Sequence, residues 1–256
     1  MTGLVTETHG NVRVLRIDRP KASNSLDAAT SAALDAAVTE AEADDAIGAM
    51  VITGTGDRAF CAGMDLKEAA EHGAGHGLIP GRGFGGITER KRDKPLIAAI
   101  NGTAVAGGFE IMMACDMVFA AEHALMGVSE VKRGLFAFAG GIQRLAQQVP
   151  RATALAMIMT GELFPARRLY DLGVVTEVVP GDELMERTLA VTGGMLENSW
   201  QAIRNGRELY ELSTGVSIEQ ALALGNAWGK ATLDSADSRE GVTAYAEKRG
   251  ASFGKD

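Results

Sequence analysis

Lys94-Pro-Leu-Ile-Ala-Ala-Ile-Asn-Gly-Thr-Ala-Val-Ala-Gly-Gly-Phe-Glu110, continued by Ile-Met-Met-Ala-Cys-Asp116 and closing on Met126-Gly-Val-Ser-Glu130, is the stretch that decides the fold. Its apolar run from Leu96 to Ile100 lies between Pro95 and Asn101-Gly102 and reads as a buried strand. Gly107-Gly108 then opens a helical segment from Phe109 to Ala114, which puts Glu110 in a first turn. An acid suits the partly positive start of a helix, yet the neighbours of Glu110 are Phe109, Ile111, Met112 and Met113. With Glu130, the stretch sets two acids in apolar surroundings, an unusual placement for solvated carboxylates.

Outward from that stretch, strands and helices alternate. Leu4 to Thr8 and Val12 to Ile17 alternate in polarity, and His9-Gly10-Asn11 supplies a hairpin turn. Asp27 caps a helix with Leu34, Ala37, Val38 and Ala41 at helical spacing, and Ala49 to Thr53 is the next strand. Ala59 to Leu66 passes through Ala62-Gly63 into a helix beginning near Asp65. Glu71 to Gly86 is glycine-rich and reads as a long mobile loop before a short helix at Ile87 to Arg92. Strands at Met117 to Ala120 and Ala124 to Gly127 precede helices opened by Gly140-Gly141 and at Arg151 to Thr160 and Ala166 to Leu172. A strand at Val174 to Val179 ends at Pro180. Helices at Leu184 to Leu196, Gln201 to Leu212, Ile218 to Leu233 and Ser238 to Lys248 follow, the third with Ser217 and Gln220 as a capping box. The pattern predicts an α/β fold, with one main unit over 1–195 and a helical region over 196–256.

Composition limits the function. The 256 residues, 46% of them hydrophobic, suffice for a large core. With 33 acidic against 25 basic residues the net charge is −8, which argues against a broad nucleic-acid surface. Cys61 and Cys115 lie in apolar runs, as reduced structural thiols of a cytoplasmic protein would. No signal peptide is visible from Met1 to Asn11, and the apolar region from Leu96 to Ala121 is interrupted by Asn101, Glu110 and Asp116, so no membrane span is expected.

Several motifs lead nowhere. Gly81-Arg-Gly-Phe-Gly-Gly86 matches a dinucleotide fingerprint in letters but lacks the strand and helix that would flank one. His9, His72, His76 and His123 have no metal-ligand spacing, so no metal is expected. No Gly-x-Ser-x-Gly elbow occurs, and Cys61 has no adjacent base. Two turns are more informative. Ala62-Gly63-Met64 and Ala106-Gly107-Gly108 each follow a strand and can expose backbone N–H groups at a helix start, where together they can grip one carbonyl oxygen. Glycines kept only for packing would leave the same letters.

Phe60-Cys-Ala-Gly-Met-Asp-Leu-Lys67, Ile97-Ala-Ala-Ile-Asn-Gly-Thr-Ala-Val-Ala-Gly-Gly-Phe-Glu110 and Gly140-Gly-Ile-Gln-Arg-Leu145 closely resemble the enoyl-CoA hydratase, or crotonase, family. The resemblance runs from Arg19-Pro20-x-Ala22-x-Asn24 to Glu247-Lys-Arg249. It implies the ClpP/crotonase-like spiral of ββα units with a C-terminal helical trimerisation region, assembled as a homotrimer or as a hexamer of two trimers. It implies an oxyanion hole for the thioester carbonyl made by the N–H groups of Met64 and Gly107. It implies that Glu110 and Glu130 bind the reacting water, Glu110 mainly activating it and Glu130 mainly exchanging the α-carbon proton. Coenzyme A is expected along Lys21, Ala22 and Asn24 and along Ala62, Gly63, Asp65 and Leu66, with Gly108 beside the acyl group. The implied activity is hydration of an enoyl-CoA or the reverse dehydration, with no cofactor beyond the coenzyme A of the substrate.

Ser129 replaces a common proline, Leu135-Phe-Ala-Phe-Ala139 lacks another, and Ala106-Gly-Gly replaces a triple glycine, all of which bear on the shape of the acyl pocket. Phe84 to Glu89 and Gly107 to Glu110 look like the carnitinyl-CoA dehydratase branch, and Ala251-Ser-Phe-Gly-Lys255 resembles the family's terminal segment with its lysine displaced by one residue. Two rivals stay open: a double-bond isomerase that uses Glu130 alone, and a non-catalytic scaffold of the same fold.

Overall fold

A computed structural model gives the structure, which describes residues 2–73 and 75–254; Lys255 lies outside the described residues. Strands β1 (Leu4–His9) and β2 (Val12–Ile17) form the expected hairpin, with His9 opposite Val12 and Gly10 at φ +58° in the turn. Helix α1 (Ala28–Ala43) starts where the Asp27 carboxylate accepts the Thr30 N–H at 2.7 Å, satisfying one of the donors that a helix start leaves free. Then come β3 (Ala49–Gly54), β4 (Ala59–Cys61) and α2 (Leu66–His72), the last capped by Asp65. The short hairpin of β5 (Leu78–Ile79) and β6 (Gly83–Phe84) leads to β7 (Leu96–Ile100), β8 (Thr103–Val105) and α3 (Gly107–Met113). Beyond them lie β9 (Met117–Ala121), β10 (Leu125–Gly127), a 3-10 turn over Glu130–Arg133, α4 (Gly141–Gln148) and α5 (Arg151–Thr160). The chain closes with β11 (Phe164–Pro165), α6 (Ala166–Asp171), β12 (Glu177–Val179), α7 (Leu184–Met195), α8 (Trp200–Ser213), α9 (Ile218–Leu233) and α10 (Ala236–Glu247).

Two sheets organise these elements. The larger has the order β1-β2-β3-β7-β9-β12 and is parallel from β2 onward. Its strands alternate between two buried faces, as strand geometry requires. Val14, Val51, Ile97 and Phe119 join the Leu184 end of α7 on one face, whereas Leu15, Ile52, Ala98 and Ala120 join the main core on the other. The second sheet, β11-β10-β8-β4, carries the two turns of interest at the ends of β4 and β8. Asn101 ties the sheets together: its side chain accepts the Gly54 N–H at 2.9 Å and donates to the Gly56 and Ala59 carbonyls. The apolar region from Leu96 to Ala121 is thus β7, β8, α3 and β9, and no helix of the described residues is long and apolar enough to cross a membrane.

The structure corrects two expectations. Ile87 to Arg92 forms turns, not a helix, because Gly85 and Gly86 hold positive φ and the Thr88 hydroxyl accepts the Phe84 N–H at 2.8 Å. The second half of the glycine-rich segment is not a mobile loop: residues 83–88 are buried, and Phe84 packs into the core. The C-terminal helices α8, α9 and α10 bury only Trp200 and Ala244 among their described residues, and Arg207 of α8 holds Asp116 at 2.6 Å.

Candidate active site

Strand β4 ends at Cys61, and the turn after it is fixed from both sides by the loop over 23–26. Ala62 N–H donates to the Ser23 carbonyl, Leu26 N–H to the Gly63 carbonyl and Asp65 N–H to the Leu26 carbonyl, at 3.1, 2.8 and 2.9 Å. The Asn24 side chain holds the loop in turn, accepting the Arg19 N–H at 3.0 Å and donating to the Thr55 and Ala59 carbonyls at 3.1 and 2.7 Å. Asp65 caps α2 and pairs with Arg19 at 3.0 Å.

The turn after β8 lies directly against the first. Ala106, at φ +53°, donates its N–H to the Gly127 carbonyl, and α3 begins at the next residue. A Cβ on Gly63 would stand 3.0 Å from Gly107 N, so the two backbones touch. The pair of glycines has a steric reason: a side chain on Gly107 would enter the Phe84 ring, and one on Gly108 would enter the Cys61 carbonyl. Among the described residues, neither the Met64 nor the Gly107 N–H donates to a protein acceptor. Gly107 is the first residue of α3, where a helix leaves its N–H groups free, whereas Met64 lies just before the Asp65 cap of α2.

Both acids face the same space. The Glu110 carboxylate accepts the Gly141 N–H at 3.1 Å, and the residue is only 5% exposed. Burial pushes its carboxyl up to about 7, the Glu130 charge adds to the rise, and the Gly141 N–H opposes it. Glu130 opens the 3-10 turn after Ser129, and its Oε2 is buried without a hydrogen-bond partner among the described residues. Burial raises its carboxyl as well, while the N–H groups of Glu130 and Ser129 and the Arg133 charge pull it down. Burial raises both carboxyls and the Glu130 charge raises Glu110 further, an arrangement that disfavours ionising both and lets one serve as acid while the other serves as base. Cys61 takes no such part, because burial pushes its thiol up to about 12.

A cavity of about 470 Å³ joins these groups, lined by Met64, Gly107, Glu110 and Glu130, and also by Ala22, Ala62 and Leu66. Lys21 is exposed next to Ala22 on the 3-10 turn Pro20–Ala22. Asn24, Gly63, Asp65 and Gly108 are not part of the lining; each serves the turns from behind, in the contacts described above. Sequence reasoning did not single out Arg133, which lines the cavity together with Phe84 of the glycine-rich segment and Phe138 of the stretch Leu135 to Ala139 that bears on the acyl pocket. The glycine at 107 was the available sign of Phe84, since an aromatic ring takes the space that a side chain there would fill.

The sequence profile described as enoyl-CoA hydratase/isomerase matches residues 7–256. The chain belongs to that family. Among its relatives within the family, it is 36% identical over 247 residues to the carnitinyl-CoA dehydratase of Proteus mirabilis (strain HI4320), covering 94% of each chain. The fold is similar to the crystal structure of enoyl-CoA hydratase from Mycobacterium tuberculosis H37Rv, with TM-score 0.94, 34% identity and all of both chains covered. It is also similar to carnitinyl-CoA hydratase from Mycobacterium avium, with TM-score 0.79, 38% identity and full coverage of both chains. The enoyl-CoA hydratase/isomerase fold therefore holds here over its whole length, with its C-terminal helical region present.

Proposed function

We propose that this chain is a hydratase-type carbon–oxygen lyase that adds water across the 2,3 double bond of an enoyl-CoA thioester, or removes it from the 3-hydroxyacyl-CoA. The observation that carries this reading is the meeting of two free backbone N–H groups and two buried carboxyls in one cavity. The Met64 and Gly107 N–H groups receive the thioester oxygen. As water oxygen bonds to C3, the C2–C3 π electrons move toward the carbonyl and the charge collects on that oxygen. Each N–H donor is worth roughly 3 kcal/mol to such a state. The ionised carboxyl takes a proton from water, and the protonated one delivers a proton to C2, so the pair ends with the same number of protons. Glu110 is assigned to the water and Glu130 to the C2 proton on the family resemblance.

An isomerase needs one shuttling acid. The Gly141 N–H holding the second carboxyl, Glu110, at the same cavity favours hydration. Coenzyme A is assigned to the edge formed by Lys21, Ala22, Ala62 and Leu66, with Asn24, Gly63, Asp65 and Gly108 supporting it, and no further cofactor is required. The exposed Ile218, Leu222, Leu233 and Val242 of α9 and α10 supply an apolar surface for assembly into a homotrimer or a pair of trimers, in the cytoplasm. Incubating a trans-2-enoyl-CoA with the protein in oxygen-18 water tests the reading: label at C3 supports it, and a shifted double bond without label supports isomerisation.

A further inference from the structure

Among the described residues, the cavity lining contains, besides the two glutamates, a single charged side chain, and it is basic. Arg133 stands at the end of the 3-10 turn that Glu130 opens. Side chains three residues apart eclipse one another in a 3-10 turn, so Arg133 lies over Glu130 on the face turned to the cavity. Its neighbour Lys132 is directed elsewhere, against α5, where a Cβ on Gly161 would stand 3.1 Å from the Lys132 Cε. Gly134, at φ +72°, ends the turn with its N–H on the Val131 carbonyl, which fixes where Arg133 leaves the backbone. Among the described residues the Arg133 side chain forms no hydrogen bond or salt bridge, although its charge acts on the Glu130 carboxyl.

A guanidinium without a salt-bridge partner at the exposed edge of a largely apolar cavity is a site for an anionic oxygen group, which it binds through a planar fork of donors. We propose that Arg133 selects acyl-CoA substrates whose acyl chain ends in a carboxylate. This rests on the acyl-CoA hydratase reading above. Two parts of such a substrate carry anionic oxygens, the acyl end and the phosphates of coenzyme A. The acyl end is favoured because Arg133 shares its stretch of wall with Leu135, Phe136 and Phe138, which follow Glu130, while the coenzyme A edge is assigned to the separate loop and turn at 22 and 62–66. A quaternary ammonium, as in a carnitinyl group, fits this wall poorly. It meets the Arg133 charge, and the Phe136 and Phe138 rings pack edge to face at 5.9 Å, which occupies one face of one of them.

Binding of saturated analogues tests the proposal independently of turnover. Dissociation constants are measured by calorimetry for glutaryl-CoA, pentanoyl-CoA, a five-carbon acyl-CoA ending in trimethylammonium, and free coenzyme A. The wild-type protein should bind glutaryl-CoA about ten- to a hundredfold more tightly than pentanoyl-CoA, with the ammonium analogue weakest. In Arg133→Gln the glutaryl-to-pentanoyl ratio should fall to about one, and Arg133→Lys should retain part of it. Equal wild-type binding of the two chains would overturn the proposal. So would an Arg133→Gln loss shared equally by both chains and by free coenzyme A, which places the guanidinium on the phosphates. If glutaryl-CoA is preferred but trans-2-enoyl-CoA is never hydrated, the activity reading fails and the selectivity stands.

Discussion

Gly141 donates its backbone N–H to Glu110 across 3.1 Å, and nothing larger than glycine fits in its place: a Cβ there would stand 2.9 Å from the Ala137 Cβ and 3.0 Å from the Glu110 Cγ. The start of α4 therefore both holds and aims the carboxyl. Gly141→Ala should displace the carboxyl, lower kcat by about ten- to a hundredfold and change KM little, because misplacing a reacting group costs rate before it costs affinity. The overpacked contact should also cost about 1–3 kcal/mol in stability. Steady-state kinetics with a thermal melt read both effects, and an unchanged kcat would remove Gly141 from the account.

The raised carboxyl of Glu110 has a consequence for stability. Its value moves from 4.5 to about 7, so between these values the folded chain holds a proton that the unfolded chain has lost. Stability then falls as pH rises through this window, and the full cost, roughly 3 kcal/mol, is present above it. Glu110→Gln removes that cost. The variant should melt about 5 °C or more above the wild type at pH 8, with the gain shrinking toward pH 5. A gain that is the same at both pH values contradicts the burial argument.

Asn24 separates support from contact. Its side chain makes three hydrogen bonds, to Arg19, Thr55 and Ala59, and none of its atoms lines the cavity. Asn24→Ala should lose about 2–4 kcal/mol of stability. Lys21→Ala, at an exposed position, should keep the melting temperature within about 1 °C and weaken acyl-CoA binding instead. Melting curves and coenzyme A titrations of the two variants separate these outcomes.

Much of this was legible in the chain, and what was not has physical causes. The bounds of α5 and α9 and the Ser217 to Gln220 capping box follow local rules that act within one turn, and the structure reproduces them. The site turns were visible because glycines after strands, one at Gly63 and a pair at Gly107-Gly108, are a local feature. Strands β4 and β8, three residues each, were not given bounds, because they are too short to show a period and are held by neighbours distant in sequence. The packing of Phe84 was hidden by the glycines around it, which suggest looseness in sequence and provide close approach in the fold. Asn24 and Asp65 matched family motif positions assigned to coenzyme A, and the structure places their side chains in hydrogen bonds behind the turn.

Exchange of the α-carbon proton separates the two carboxyls. With a saturated acyl-CoA in deuterated water, Glu130→Gln should lose exchange by about a hundredfold, while Glu110→Gln retains most of it. The opposite ranking would reverse the assignment of roles and leave the pair intact.

The most direct test is hydration of crotonyl-CoA in oxygen-18 water by the wild-type protein and by Glu110→Gln and Glu130→Gln. The wild type should place the label at C3, and each variant should turn over at least about a hundredfold more slowly while still binding acyl-CoA. Near-normal turnover by either variant, or product without label, would contradict the two-glutamate mechanism.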